Sequence, residues 1–291
     1  MRSFAPDYEL RTPGALAEAL ELLAREPGQW KPLAGGTDLM ALFEAGKLES
    51  KRLLNLQRLG ELKGIEAGEG GVSIGALATY SEIRRHAGLA REFPLLAQAA
   101  RETGGVAIQN RGTLGGNIVN ASPAGDSLPP LLVYEAELEL VSARGARRVP
   151  YAAFHRGYRL MDLGPDELLA RIHIPRPDPA WRHYYRKVGG RRAQAISKVC
   201  FAGLLRSDSV RIALGAVAPT PVRCYRTEAL LRGRQLSAGL VDAARDELQR
   251  EISPIDDMRS TARYRRRVAG NLLDQFLVGQ ASRPVPFGIS G

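Results

Sequence analysis

Two glycine-rich segments constrain the fold of this chain more than any other feature of its sequence. The first, Leu33-Ala34-Gly35-Gly36-Thr37-Asp38-Leu39, lies between a short apolar run and a run with helical spacing. Paired glycines permit positive φ and a close approach of ligand to backbone, and successive amide N–H groups in such a turn form a concave anion site. Thr37 or Asp38 could cap the following helix, whose positive end would favour a phosphate. The segment is therefore either a tight strand-to-helix turn or a phosphate-binding loop.

The second segment is longer and consists mostly of small and polar residues. It begins Arg111-Gly112-Thr113-Leu114-Gly115-Gly116-Asn117 and continues to Asp126 without an amphipathic period, which predicts an irregular loop. It offers further amide N–H groups and the side-chain donors Thr113, Asn117 and Ser122, while Asp126 could accept a bond from a ribose hydroxyl. A surface loop without a ligand is the alternative.

Familiar nucleotide signatures do not explain these two segments. The sequence contains neither Gly-x-Gly-x-x-Gly nor Gly-x-x-x-x-Gly-Lys-[Ser/Thr]. The first is the dinucleotide fingerprint of the Rossmann fold, and the second is the P-loop. Two glycine-rich loops without either signature predict a large diphosphate ligand held by a different fold.

Hydrophobic spacing and turn residues predict an α+β protein. Apolar residues recur at helical spacing after Thr12-Pro13, which predicts a capped helix, and Thr79-Tyr80-Ser81-Glu82 has the pattern of a capping box. Arg144-Gly145 predicts the tip of a hairpin. Further helices are predicted at 39–43, 94–103, 227–235, 240–252 and from Ser260, with Tyr264, Val268, Leu272 and Phe276 on one face. Strands are predicted at 30–34, 52–56, 72–77, 136–141, 168–174, 181–188, 198–205 and 210–217.

A proline-rich segment predicts a domain boundary. Pro175-Arg176-Pro177-Asp178-Pro179 suits neither a helix nor the interior of a sheet. The predicted domains are residues 1–176 and 180–285. The tail after Gly279 is expected to be irregular.

Charge and cysteine content narrow the classes of partner and site. The 291 residues carry a net charge of +10, with the densest run of arginines at Arg263 and 265–267. We interpret this charge as a solvated surface with a docking face for an acidic subunit, rather than as a nucleic-acid site. Two cysteines cannot hold a Cys₄ iron–sulfur cluster and match no zinc pattern.

Neither catalytic nor metal-binding residues are predicted. The sequence has no nucleophile–base pair at recognisable spacing, and we interpret its four histidines as surface or packing residues: His86, His155, His173 and His183. No apolar leader and no run of about 20 apolar residues occurs, so no membrane span and a cytoplasmic location are expected.

The pair of loops resembles the FAD-binding signature of the medium subunit of molybdenum hydroxylases, the family of xanthine dehydrogenase and carbon monoxide dehydrogenase. The similarity extends over nearly the whole chain, and only the combination of its pieces is specific. Those pieces are the two loops, Phe4-Ala5-Pro6-Asp7-Tyr8, and residues 74–79, 186–191, 195–199, 215–221 and 253–257. Gln109 stands where many relatives carry Arg.

This resemblance implies a fold and a set of cofactor contacts. The fold is a vanillyl-alcohol-oxidase (PCMH-type) FAD-binding domain of two subdomains, followed by a small α+β domain with an antiparallel sheet and helices. By position, residues 33–39 and 113–117 would hold the pyrophosphate of FAD, and Gly112 is a further implied FAD-binding residue. The other implied FAD-binding residues are Thr103, Ser122, Asp126, Leu169 and Lys187; Lys187 could equally be a solvated charge on an edge strand.

The resemblance also implies partners. A [2Fe–2S] small subunit would supply electrons, NAD or a quinone would receive them, and a molybdopterin-containing large subunit would hold the substrate. Two alternatives remain open at this point: a self-standing FAD-dependent oxidoreductase of the same fold, and a binding module that has lost its FAD.

Overall fold

Tertiary contacts divide the chain into two units in this computed structural model, which describes residues 8–191 and 194–281. The first unit comprises the chain up to Ser122 together with Tyr134–Pro177, and the second comprises Pro123–Val133 and the chain from Asp178 onward. Residues 4–7 of the predicted opening segment and residues 282–291 of the predicted irregular tail lie outside the described residues.

The first unit opens with a small parallel sheet. Its strands are β1 (Glu9–Arg11), β2 (Lys31–Leu33) and β3 (Arg52–Asn55), in the order β1-β3-β2. Between β1 and β2 lies helix α1 (Leu16–Arg25), and β2 is followed by α2 (Leu39–Glu44). The glycine-rich segment 33–39 therefore connects a strand to a helix, as the sequence predicts.

The predicted cap of α1 is wrong. The helix begins at Leu16, and its N-cap Ala15 makes no side-chain cap bond. The carboxylate of Glu61 accepts the Leu16 N–H at 3.0 Å instead. A residue distant in sequence thus satisfies one of the unbonded N–H groups at the start of the helix.

The first unit also contains a five-stranded antiparallel sheet, in the order β4-β5-β10-β6-β7. The predicted hairpin at Arg144-Gly145 is confirmed, because β6 and β7 pair across that turn. The strands are β4 (Ile65–Gly68), β5 (Gly71–Gly75), β6 (Glu137–Ser142), β7 (Gly145–Pro150) and β10 (Leu168–Pro175), with a separate pair β8 (His155–Gly157) and β9 (Leu160–Met161).

Five helices of the first unit lie between β5 and β6: α3 (Tyr80–Arg85), α4 (Ala87–Glu92), α5 (Pro94–Glu102), α6 (Val106–Gln109) and α7 (Leu114–Asn120). The predicted capping box of Thr79 and Glu82 is confirmed. The predicted irregular loop from 112 to 126 is wrong, because α7 occupies its middle. The Thr113 hydroxyl caps α7 by accepting the Gly116 N–H at 3.0 Å, and Ala121 ends it in the left-handed region with φ 51°.

In its described residues, the second unit contains a four-stranded antiparallel sheet and four α-helices. The sheet order is β11-β12-β13-β14. Its core joins Phe201 of the sheet to Phe276, and a Cβ at Gly203 would lie 2.8 Å from the Phe276 ring. The elements are α8 (Leu128–Val133), β11 (Arg182–Val188), β12 (Val199–Leu205), β13 (Val210–Gly215), β14 (Val222–Arg223), α9 (Tyr225–Leu231), α10 (Ala238–Glu251) and α11 (Ala262–Ala281).

The start and the buried face of α11 differ from the prediction. Thr261, rather than Ser260, accepts a bond from the helix, through the Tyr264 N–H at 3.2 Å. Leu272 and Phe276 are buried as predicted, but Tyr264 is exposed and Arg265 is buried in its place. Within residues 8–191 and 194–281, none of the helices combines the length and hydropathy that a bilayer-spanning segment needs.

Candidate functional site

The first glycine-rich segment presents a row of unused hydrogen-bond donors. The amide N–H groups of Gly35, Gly36, Thr37, Asp38 and Leu39 donate no hydrogen bond to any described part of the chain. Unsatisfied amides are costly unless water or a ligand accepts from them. Five such amides in succession provide the kind of donors that a backbone anion site uses.

The same segment packs directly against the second segment. A Cβ placed on Gly35 would lie 1.8 Å from the carbonyl oxygen of Arg111 and 3.2 Å from the Cα of Gly112. Gly36 has φ +77°, in the left-handed region that favours glycine. Both glycines of the first segment are therefore required by the backbone geometry.

The polar side chains of the first segment do not cap its row of amides. The Thr37 hydroxyl has no hydrogen-bond partner among the described residues, and the Asp38 side chain does not cap α2. Asp38 instead accepts a long bond of 3.4 Å from Asn120. The side-chain amide of Gln57 donates a hydrogen bond to the Ala34 carbonyl of the segment at 2.9 Å.

Arg111 places a positive charge at this surface. Its Nε donates to the Gly35 carbonyl at 3.4 Å, and its side chain is exposed. No carboxylate of the described chain lies within ion-pair distance of it. An unpaired guanidinium beside free amides is suited to bind a phosphate oxygen.

The second segment supplies packing rather than free amides, which corrects the expectation from sequence. The N–H groups of Gly112, Gly115 and Gly116 donate to the Ile108 carbonyl, the Ala76 carbonyl and the Thr113 hydroxyl. A Cβ on Gly115 would lie 2.6 Å from the Ala76 Cβ. These glycines therefore allow α7 to approach its neighbours closely, and most of the anion-binding donors come from the first segment.

His155 anchors the far end of α7. Its Nε2 donates to the Ile118 carbonyl at 2.9 Å, and burial lowers the pKa of this imidazole. Sequence reasoning assigned His155 only a surface or packing role and missed Arg111 and Gln57 as site residues. The position of Arg111 next to Gly112 was a signal that could have identified it; Gln57 and His155 gave none.

Thr103 and Leu169 are two further predicted FAD contacts, and both lie in the first unit. The Thr103 hydroxyl donates to the Ala99 carbonyl at 2.8 Å, and Leu169 is a buried residue of β10 beside a register shift. Ser122 is half-buried at the end of this part of the unit, and Asn117 is half-buried on α7. Their assignment to a cofactor stays a prediction.

Asp126 and Lys187 belong to the second unit, where they form a buried ion pair. Lys187 Nζ lies 2.6 Å from Asp126 Oδ2, and each side chain is 8% exposed. The Ser197 hydroxyl donates to the other oxygen of Asp126 at 2.6 Å. The alternative of a solvated charge on an edge strand is therefore wrong for Lys187.

Comparisons with known proteins decide the family. A model described as FAD binding domain in molybdopterin dehydrogenase matches residues 6–177, which is more than half of the chain. The chain belongs to this family. A second model, CO dehydrogenase flavoprotein C-terminal domain, matches residues 183–279.

Individual relatives of this molybdopterin dehydrogenase flavoprotein agree. The xanthine dehydrogenase FAD-binding subunit of Escherichia coli O157:H7 is 34% identical over 257 residues, covering 86% of this chain and 88% of that protein. The carbon monoxide dehydrogenase medium chain of Hydrogenophaga pseudoflava is 28% identical over 276 residues, covering 94% and 96%. A chain in a solved carbon monoxide dehydrogenase structure from Hydrogenophaga pseudoflava superposes with a TM-score of 0.91 at 28% identity, covering 96% of this chain and 99% of that chain.

The family assignment confirms the predicted resemblance, the α+β fold with its C-terminal antiparallel sheet, and FAD as cofactor. The residues present fit FAD on three observations. The first segment has five free amides, Arg111 is an unpaired cation beside them, and the space at Gly35 admits no side chain. A dinucleotide diphosphate carries the negative charges that these groups can neutralise.

Proposed function

We propose that this flavoprotein is the electron-transfer subunit of a molybdenum hydroxylase complex, and that its first glycine-rich segment grips the diphosphate of FAD. The row of five free amides from Gly35 to Leu39 is the observation that carries the proposal. Arg111 and the Thr37 hydroxyl would complete the phosphate contacts. The chain supplies binding, orientation and charge around the cofactor, and bound FAD supplies the redox chemistry.

The remaining predicted contacts enter as part of this proposal. Thr113, Gly116 and Asn117 would shape the side of the site formed by α7. Thr103, Ser122, Leu169, Asp126 and Lys187 would contact other parts of FAD, as the family resemblance implies.

The proposed partners are a [2Fe–2S] subunit, which donates electrons, and a molybdopterin subunit, which holds the substrate. Two cysteines cannot supply the four thiolates of a Cys₄ iron–sulfur cluster, which supports placing the iron–sulfur donor on another chain. The term medium chain in the name of the Hydrogenophaga relative supports a multi-subunit assembly. NAD or a quinone as acceptor, and a cytoplasmic location, stay predictions.

Gly116→Trp is expected to yield folded protein that has lost most of its flavin. Gly116 is half-buried, and a Cβ there would lie 2.8 Å from the Thr113 hydroxyl and 4.0 Å from Ala34 of the first segment. An indole at this point would fill the space that the cofactor needs. The measurement is flavin absorbance per folded chain after purification.

The matched control is Gly60→Trp, because Gly60 is exposed and a Cβ there has no neighbour within 4 Å. This control is expected to keep its flavin. Full flavin content in Gly116→Trp would show that α7 does not border the cofactor.

A further inference from the structure

The segment from Ile255 to Arg267 exposes apolar and basic side chains together. Met258 is 96% exposed, Ile255 is 69% exposed and Tyr264 is 41% exposed. Lys198 Nζ lies 5.2 Å from the centre of the Tyr264 ring. We call this surface the 255–267 patch; it comprises Lys198, Ile255, Met258, Arg259, Arg263, Tyr264 and Arg267. Met, Tyr and Arg are the residue types enriched in protein–protein interfaces.

Positive charge is placed unfavourably at the start of α11. The helix begins at Ala262, has no acidic residue in its first turn and carries Arg263 there. The positive end of the helix dipole disfavours a cation at this position. Arg263 and Arg267 also stand four residues apart on one helix face, where like charges destabilise each other.

Two carboxylates lie at the start of α11, but neither pairs with Arg263 or Arg267. Arg263 and Arg267 form no ion pair with any described residue, and both are exposed. Asp256 accepts the Ala262 N–H at 2.5 Å, and Asp257 pairs with Arg265 at 2.7 Å and with Arg259 of the patch at 3.4 Å. The patch therefore keeps an unbalanced positive charge that an acidic surface would neutralise.

A buried arginine holds the patch in place. Arg265 is 3% exposed, and its guanidinium donates to the carbonyls of Lys198 at 2.7 Å and Ala216 at 2.9 Å. This links the start of α11 to the strand that follows Lys198. A surface fixed in this way loses little conformational entropy when a partner binds.

We propose that the 255–267 patch docks an acidic protein surface with an apolar centre, belonging to one of the partner subunits of the complex. The proposal rests on the proposed function for the existence of those subunits. Exposed Met258 and Ile255 favour a protein over a nucleic acid, because phosphate and sugar contacts dominate nucleic-acid interfaces and give these side chains nothing to pack against.

The test separates docking from folding. Arg263→Glu puts an acid at the positive end of α11 and pairs the new carboxylate with Arg267 one turn later, so the melting temperature should stay level or rise. The full FAD-loaded Arg263→Glu chain should bind the purified molybdopterin and [2Fe–2S] subunits at least about tenfold more weakly than wild type. Its affinity should also lose the salt dependence of the wild-type affinity. Met258→Glu should weaken the same binding. The control is Arg232→Glu, an exposed arginine between α9 and α10, which should bind as wild type does.

Each outcome decides the proposal. The proposal is overturned if both patch variants bind the subunits with unchanged affinity, or if the wild type does not bind them. It is also overturned if the variants keep subunit binding and lose only the binding of double-stranded DNA or self-association. Wild-type chain that binds the subunits but neither holds nor takes up FAD would refute the proposed function instead, leaving the patch to be judged by the same binding comparison.

Discussion

Gly35→Ala is expected to abolish FAD retention and to lower the free energy of unfolding by roughly 1–3 kcal/mol. The added Cβ would lie 1.8 Å from the Arg111 carbonyl oxygen and 2.6 Å from the carbonyl carbon. Both are backbone atoms, so no side-chain rotation can relieve the contact. The two segments must separate, which moves the row of free amides away from Arg111. Denaturant unfolding and the flavin absorbance of the purified protein measure the two effects.

Gly60→Ala is the matched control, since its Cβ would enter open space in the same unit. It should retain FAD and unfold at nearly the wild-type denaturant concentration. If Gly35→Ala retains FAD with unchanged affinity, the close approach of the two segments is not part of the cofactor site.

Asp126→Leu and Lys187→Met are each expected to destabilise the protein by about 3–5 kcal/mol. Each change leaves the other charge buried without its partner, because both side chains are 8% exposed and their charged atoms lie 2.6 Å apart. The double variant Asp126→Leu/Lys187→Met should recover much of the loss, since it removes both charges. A double-mutant cycle on unfolding free energies gives the coupling.

An exposed ion pair supplies the control for this cycle. Arg156 Nη2 lies 2.7 Å from Asp162 Oδ1, but the Arg156 side chain is 65% exposed. Arg156→Met should therefore lower the free energy of unfolding by less than about 1 kcal/mol. A similar small cost for Lys187→Met would mean that water reaches the Asp126 pair.

The same variants test the assignment of Asp126 and Lys187 to the cofactor. If both contact FAD, the FAD dissociation constant of the single variants should rise about tenfold or more under conditions where each is folded. An unchanged dissociation constant would assign the pair to the stability of the second unit alone.

Local signals explain which parts of the fold could be predicted. The capping box at Thr79 and the turn at Arg144-Gly145 involve residues only a few positions apart, so the sequence shows both partners together. Helix α7 was missed because its sequence, Leu-Gly-Gly-Asn-Ile-Val-Asn, has no amphipathic period. Distant contacts hold it, from Gly115 to Ala76 and from Ile118 to His155.

The location of the candidate site was predictable from the sequence, but which segment has unused amide donors was not. Both glycine-rich segments looked like sources of amide donors, yet the N–H of Gly115 is taken by the Ala76 carbonyl, a partner that no spacing rule indicates. Similarly, Arg263 and Arg265 belong to one run in the sequence. Only the orientation of α11 against its sheet buries Arg265 and exposes Arg263.

Titration of the FAD-free protein with FAD and with FMN tests the central claim most directly. If the free amides of the first segment grip a diphosphate, FAD should bind stoichiometrically and FMN, which has a single phosphate and no adenosine, at least about tenfold more weakly. Absence of FAD binding by folded protein, or equal affinity for FAD and FMN, would contradict the account.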